Sequence, residues 1–275
     1  MPAPSIPAAA VPIALTMAGS DSSGGAGIQA DLKTFSALGV FGASVITALT
    51  AQNTRGVTAI HDVPDDFIAA QADAVFSDLD VRAVKIGMLS RPGAIRTVAD
   101  ALARHQARPV VLDPVMVAAS GAKLLADAAV ETLKEVLIPR CDLLTPNLPE
   151  AAVLLGRPMA EDEDEMRRQG EALLKLGAGA VLMKGGHGAG PESVDLLVAP
   201  SGTTRLVAPR HATRNTHGTG CTLSSAVAAG LAKGQDLGRA VHEAKAYITG
   251  AIAAADTLAV GHGHGPVHHF WALWR

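Results

Sequence analysis

Short runs of consecutive apolar residues alternate along this chain with longer stretches whose apolar positions recur every three or four residues. Runs of the first kind read as buried strands and stretches of the second kind as amphipathic helices. Ile13–Ala18 is such a run, Gly19–Gly27 a loop after it, and Ile28–Leu38 a helix with Ile28, Leu32, Phe35 and Leu38 on one side. The pattern then repeats. It predicts strands at Ser44–Leu49, Ala83–Met88, Pro109–Val115, Asp142–Thr145 and Ala180–Lys184, and helices at Asp65–Phe76, Pro92–His105, Ala128–Leu137 and Asp162–Leu176. Ser193–Ala199 and Thr204–Ala208 flank Pro200-Ser201-Gly202-Thr203 and predict a hairpin or paired edge; helices over Thr219–Lys233 and Leu237–Leu258 follow before a short tail. Buried strands interleaved with helices predict an α/β fold, a central, mostly parallel sheet with helices on both faces. Residues 1–12 are Pro/Ala-rich and predict a flexible N-terminal tail, while 13–275 carry no linker-like stretch and no repeat of fixed period, so one domain is expected there.

Composition narrows the function classes. A chain of 275 residues that is 48% hydrophobic can bury a large core. It has no apolar run of the roughly 18 residues a membrane helix needs, and its start lacks the basic and apolar regions of a signal peptide, so a soluble, cytoplasmic protein with no membrane partner is expected. A formal net charge of −3 with only 3% aromatic residues argues against a nucleic-acid surface and for a small-molecule partner. Cys141 and Cys221 make no disulfide framework, as suits a reducing compartment.

In such sheets ligands bind beyond the carboxyl ends of the strands, which singles out the polar residues just after each apolar run. These are Asp21 with Gly24-Gly25-Ala26-Gly27, Gln52, Met88, Asp113, Asn147 with Glu150, Lys184, and the turn Gly218–Cys221. Each follows a different segment, and they are expected to converge on one sheet edge. The run Asn215-Thr216-His217-Gly218-Thr219-Gly220-Cys221 sets a glycine turn before a helix start, where free N–H groups and the helix dipole attract an anion. Cys221 in that first turn is expected to lean toward thiolate; the other reading is a packed loop with an inert cysteine. Neither glycine loop is a nucleotide fingerprint: Gly19–Gly24 has phosphate-loop spacing but Gly25 where the lysine belongs, which argues against a P-loop ATPase or an ordinary dehydrogenase. Asn147 and Glu150 share one side of a helical turn and suit a hydrated magnesium ion, or else simply cap the helix as a capping box. Asp113 is a metal second-shell candidate or a turn former, and Lys184 a phosphate-facing charge or a solvated strand end. The late histidines His262, His264, His268 and His269 read as a mobile or packed tail rather than a zinc centre.

Taken in order, Ala18–Lys33, Thr47–Thr54, Lys85-Ile86-Gly87-Met88-Leu89, Thr145–Ala151, Leu182–His187, Asn215–Cys221 and Gly265–Phe270 resemble the ribokinase-like small-molecule kinases, and most nearly the hydroxymethylpyrimidine/phosphomethylpyrimidine kinases of thiamine biosynthesis. The resemblance implies a ribokinase-like fold, a homodimer, and ATP- and Mg2+-dependent phosphorylation of 4-amino-5-hydroxymethyl-2-methylpyrimidine and then of its monophosphate. It implies Gln52, Ala26, Asp31, Thr50 and Met88 around the pyrimidine, Lys184 and Thr216 at ATP, and Asn147, Glu150 and Asp113 about magnesium. Gly218, Thr219 and Gly220 would hold the transferring phosphoryl group, with Cys221 as base. Many sugar kinases carry an aspartate where this chain has Cys221. Pyridoxal or pyridoxine kinase, a dual-specificity enzyme, and a non-catalytic vitamin- or nucleotide-binding protein on the same fold are the alternatives. The loop Ala118–Lys123 is a candidate lid.

Overall fold

The computed structural model describes residues 11–116, 127–187 and 190–274. The candidate lid and most of the N-terminal tail lie outside these residues.

The chain begins with β1 (Ile13–Ala18), α1 (Gly27–Ala37), β2 (Phe41–Ile46), β3 (Ala48–Asn53), β4 (Gly56–Asp62), α2 (Asp65–Phe76), β5 (Val81–Ile86), α3 (Pro92–Arg104), β6 (Val110–Leu112) and α4 (Asp127–Thr132). It continues through β7 (Leu143–Leu144), α5 (Leu148–Leu155), α6 (Glu163–Leu174), β8 (Val181–Lys184), β9 (Glu192–Ala199), β10 (Gly202–Pro209), α7 (Thr219–Ala232) and α8 (Leu237–Ala253). Eight strands form one sheet in the order β10-β9-β8-β7-β6-β5-β1-β2, and β3 pairs only with β4. From β8 to β2 the pairing is parallel, while β9 and β10 add antiparallel strands at the other edge.

Side-chain alternation along each strand splits the core between the two sheet faces. Leu15 and Met17 of β1, Val84 and Ile86 of β5, and Val181 and Met183 of β8 face a core that includes Ile68 of α2, Ile95 of α3, Leu154 of α5 and Leu173 of α6. Ala14, Ala83 and Leu182 face the other way, against Phe35 of α1, Leu223 and Val227 of α7, and Val241 and Ile248 of α8. The chain runs from β1 outward to β2 and later returns to β5 on the other side of β1, so β1 and β5 flank the point where strand order reverses. That is where a crevice opens in sheets of this kind.

Several expected boundaries shift. The strand expected at Ser44–Leu49 is two strands broken at Thr47, whose N–H bonds Ala18 O at 3.0 Å and whose hydroxyl bonds Met88 O at 3.0 Å. β4 was not legible, because its exposed Thr58, Ile60 and His61 give no periodic core signal. The helix expected at Ala128–Leu137 changes at Leu133 to a wider π turn, Leu133–Leu137, ahead of Pro139. α8 stops at Ala253, short of the expected Leu258, and a single 3-10 turn over Ala255–Thr257 follows.

Candidate active site

A cavity of about 760 Å³ opens at the carboxyl edge of β1, β5, β6 and β8, with the start of α7 as one wall. The site is organised by two glycine loops that touch. Gly218, at φ +81°, is the N-cap residue of α7, and no side chain caps the helix. A Cβ on Gly218 would overlap the carbonyl oxygen of Gly25, so the close approach as well as the positive φ demands glycine. The first-turn amides of α7 are left without side-chain partners beside the cavity, which Thr216, Gly218, Thr219, Gly220 and Cys221 all line. Lys184, at the end of β8, comes to the same spot: a Cβ on Gly220 would lie 3.2 Å from its Nζ. A helix start and an ammonium group together make a strong anion site.

The acidic residues beside it divide their tasks. Asp113 is 1% exposed, and its Oδ1 accepts from Lys184 Nζ at 2.7 Å and from the Thr145 hydroxyl at 3.1 Å. Burial pushes the Lys184 ammonium down, but Asp113 and Glu150 more than offset this and hold it above the ordinary lysine value. Asn147 and Glu150 form the capping box of α5: Glu150 N donates to Asn147 Oδ1 at 2.8 Å, and Asn147 N to Glu150 Oε2 at 2.8 Å. The expected metal trio is therefore not assembled as a ligand set. Asp113 is already ion-paired to a lysine and the Asn147 oxygen is spent on the cap. Among the described residues no group of three or more His, Cys, Asp or Glu side chains is gathered to hold an ion.

Glu150 remains as a metal candidate. Burial pushes its carboxyl up to about 7, helped by the Asp113 charge and opposed by Lys184, 4.0 Å away. A buried carboxylate short of positive charge fits magnesium, which takes one or two carboxylates and fills its shell with water and phosphate oxygens.

Another part of the lining is polar. Ala26, Thr50, Gln52 and Met88 all line it, together with Asp21 and His217. The backbone at Gln52 is clamped by Ser22, whose hydroxyl donates to Gln52 O at 2.8 Å and accepts from Gln52 N at 2.8 Å. The Gln52 Nε2 lies 3.4 Å from His217 Nε2, which has a closer partner in Asp21 Oδ2 at 2.8 Å. A proton on that histidine nitrogen goes to the carboxylate, so the amide NH₂ keeps its donors for the cavity. Burial works to raise the Asp21 carboxyl, but hydrogen bonds from His217 and Ser23 hold it down at about 2. Asp21 also accepts from Gly25 N at 3.2 Å and Ala26 N at 2.8 Å, so one carboxylate fastens the first loop to the second.

Asp31 departs from the expectation. It is fully buried and does not reach the cavity; it accepts from Lys85 Nζ at 2.9 Å on both oxygens, from Thr16 at 2.7 Å and from Ser225 at 2.7 Å. Its role is that of counter-ion to Lys85, itself fully buried at the cavity floor. Burial opposes the charge on Lys85, yet Asp31 keeps it well above the ordinary lysine range. Sequence reasoning passed over Lys85 and His217. The available signal was a lysine inside the apolar run Ala83–Met88, since a charge in a buried strand needs a partner.

Cys221 also differs from expectation. Burial pushes its thiol up to about 11; Lys85 and the Gly27 N–H act to lower it, and Asp31 and Asp113 to raise it. The helix dipole does not overcome desolvation at Cys221. Of the late histidines, His268 and His269 are buried in a segment that pairs with His217 through Pro266, while His262 and His264 are exposed.

A doubly covered parallel sheet whose carboxyl edge sets a helix-start anion site against a polar, ring-sized pocket is the arrangement of a ribokinase-like small-molecule kinase. The family model for phosphomethylpyrimidine kinase matches residues 21–268. The chain is 62% identical to the hydroxymethylpyrimidine/phosphomethylpyrimidine kinase of Rhizobium meliloti strain 1021, over 96% of this chain and 98% of that one. Among solved structures it is similar to phosphomethylpyrimidine kinase from Clostridium difficile 630, with TM-score 0.77 and 48% identity over 87% of this chain and 99% of that one. It is also similar to Bacillus subtilis pyridoxal kinase in an ADP complex, with TM-score 0.89 and 36% identity over 96% of this chain and 100% of that one. The chain belongs to the phosphomethylpyrimidine kinase family.

Proposed function

We propose that this protein transfers the γ-phosphoryl group of ATP to the hydroxymethyl group of 4-amino-5-hydroxymethyl-2-methylpyrimidine, and a second phosphoryl group to the resulting monophosphate, in thiamine biosynthesis. The observation that carries the reading is that one cavity is lined both by the start of α7, which no side chain caps, with Lys184 beside it, and by Gln52, whose backbone Ser22 clamps. Phosphoryl transfer depends chiefly on alignment and charge stabilisation, which such a site supplies. Gly218, Thr219 and Gly220 form the turn that holds the transferring group, with the Thr219 N–H tying the turn to Thr216 O at 3.2 Å. Lys184 and Thr216 meet ATP phosphates, and Lys184, held by Asp113, does so as a fixed charge. Gln52, with Ala26, Thr50 and Met88 around it, reads the aminopyrimidine edge, since an amide offers both donor and acceptor. Cys221 receives the hydroxyl proton. Glu150 is the residue that would hold magnesium, which when bound neutralises phosphate charge. Residues 13–275 act as one kinase domain, cytoplasmic and homodimeric, behind a short tail at 1–12.

The similarity to pyridoxal kinases gives a second reading, phosphorylation of a hydroxymethyl group on a pyridine ring. Product formation from ATP with the aminopyrimidine and with pyridoxal, run side by side on purified protein, decides between them. Turnover of the pyrimidine well above that of pyridoxal is expected; the reverse order gives the second reading, and no turnover of either leaves a binding protein.

A further inference from the structure

The floor of the cavity carries a buried network for which phosphate binding gives no reason. Thr16 of β1, Asp31 of α1, Lys85 of β5 and Ser225 of α7 meet in one cluster, and Thr16 and Lys85 are register partners in the sheet. Ser225 lies one helical turn beyond Cys221 on α7, so the cluster sits beneath the side of the helix that carries the thiol. A lysine that is fully buried is costly to keep charged, and Asp31 compensates it while leaving its ammonium at the cavity floor. Resting on the functional reading above, we propose that Lys85, oriented by Asp31, is a positioning residue that stabilises the thiolate of Cys221, and that this device serves the first phosphoryl transfer and not the second.

The two transfers differ in proton chemistry. In the first, the Cys221 thiol gives its proton to water, the alcohol oxygen bonds to the γ-phosphorus, the bond from that phosphorus to the leaving ADP oxygen breaks, and the hydroxyl proton passes to the Cys221 thiolate, which restores the thiol. In the second, the acceptor is a phosphate monoester oxygen. A phosphate monoester loses its second proton near pH 6, so at neutral pH that oxygen arrives deprotonated and no base is needed. The groups facing Cys221 are Lys85 from β5, Lys184 from β8 and the Gly27 N–H from α1, which favour thiolate, and Asp31 from α1 and Asp113 just after β6, which oppose it. Lys184 is held by Asp113 at 2.7 Å, so Lys85 is the side-chain cation that acts most strongly on the thiol.

The test uses Lys85→Met combined with Asp31→Asn, which removes the buried pair without stranding either charge, and Cys221→Ala, a small change that keeps the helix start. Single-turnover rates are measured separately with the alcohol and with the monophosphate, alongside the parent protein. In Cys221→Ala the first transfer is expected to fall about 10²–10⁴-fold, the usual contribution of a positioned base, and in the double variant, which removes the opposing Asp31 charge along with Lys85, by a smaller factor; in both variants the first transfer falls at least tenfold more than the second. Iodoacetamide alkylation reports the thiolate directly: its pH midpoint should move up in the double variant, and Cys141, buried and with its thiol pushed up to about 12, does not compete. Equal losses in both transfers, or no selective loss in either variant, overturn the proposal, as does an unmoved alkylation midpoint in a folded double variant. Failure of the parent to phosphorylate either pyrimidine instead overturns the functional reading on which the proposal rests.

Discussion

Single residues in this site are held by partners that fix which of their atoms stay free. Gln52 is the plainest case: Ser22 takes up its backbone on both sides, the Thr50 hydroxyl lies 3.1 Å from its Oε1, and His217 is drawn off by Asp21, so the amide NH₂ is available to a ligand. Replacing Gln52 with leucine keeps the size and the backbone clamp but removes the paired donor and acceptor. Binding of the aminopyrimidine should weaken by about 1–3 kcal/mol with the melting temperature little changed. Isothermal titration checks this, and parent-like affinity in the variant would remove Gln52 from the recognition surface. Lys184 was legible because it ends an apolar run at the sheet's carboxyl edge, and the Gly218–Cys221 turn because its glycines precede a helix start, whereas Gln52 lies within β3 of the separate ribbon. The protonation state of Cys221 was not legible. A helix start in sequence promises a lowered thiol, but burial between α1 and β5 depends on packing that no local spacing reveals.

At the scale of elements, the alternation of apolar runs and helical periodicity was enough to place β1, β5, β8 and the helices between them. It failed where an element is set by contacts outside itself. β4 is exposed over most of its length and pairs only with β3, so no buried face marks it, and Thr47 breaks the expected strand because its partners are Ala18, at the end of β1, and Met88, beyond the end of β5. α5 shows the opposite situation, in which two readings of the same residues coexist. Asn147 and Glu150 cap the helix, and Glu150 in addition stands as a buried, undercompensated carboxyl at about 7. Glu150→Gln separates the two, because glutamine can still accept from the Asn147 N–H and preserve the cap. A carboxyl raised from 4.5 in the unfolded chain to about 7 in the fold favours folding most below 4.5, and that contribution is lost as pH rises through 7. The glutamine variant should thus melt no lower than the parent at pH 8, while needing more magnesium for half-maximal turnover. A magnesium titration that superimposes on the parent's would confine Glu150 to capping.

For the whole molecule, the two glycine loops meet because the end of the chain returns to hold them. His217 N donates to Gly265 O at 3.1 Å and Val267 N to His217 O at 3.2 Å, so the segment before α7 is paired to residues near the C-terminus. That segment is in turn fixed to the helices: His268 N donates to Ala251 O at 3.0 Å, the Tyr247 hydroxyl donates to His269 O, and His269 Nε2 meets the Thr222 hydroxyl at 3.1 Å. Thr222 follows Cys221 directly, so docking of the chain end and placement of the anion turn are one structural event. Burial pushes His269 down to about 4, with the positive charges of Lys33, His268 and His217 adding to it, so His269 docks neutral. A histidine whose value falls from 6.5 to about 4 on folding gives stability that is present above pH 6.5 and lost as pH falls toward 4. The loss should be on the order of 3 kcal/mol across that interval, since a tenfold change in proton affinity corresponds to about 1.4 kcal/mol. His269→Gln retains a side chain able to accept from Thr222 but cannot take up a proton in this range. Urea unfolding at pH 8 and at pH 4.5 should show a smaller drop in stability for the variant than for the parent. Equal drops would mean that the docked chain end does not govern the acid sensitivity of the fold.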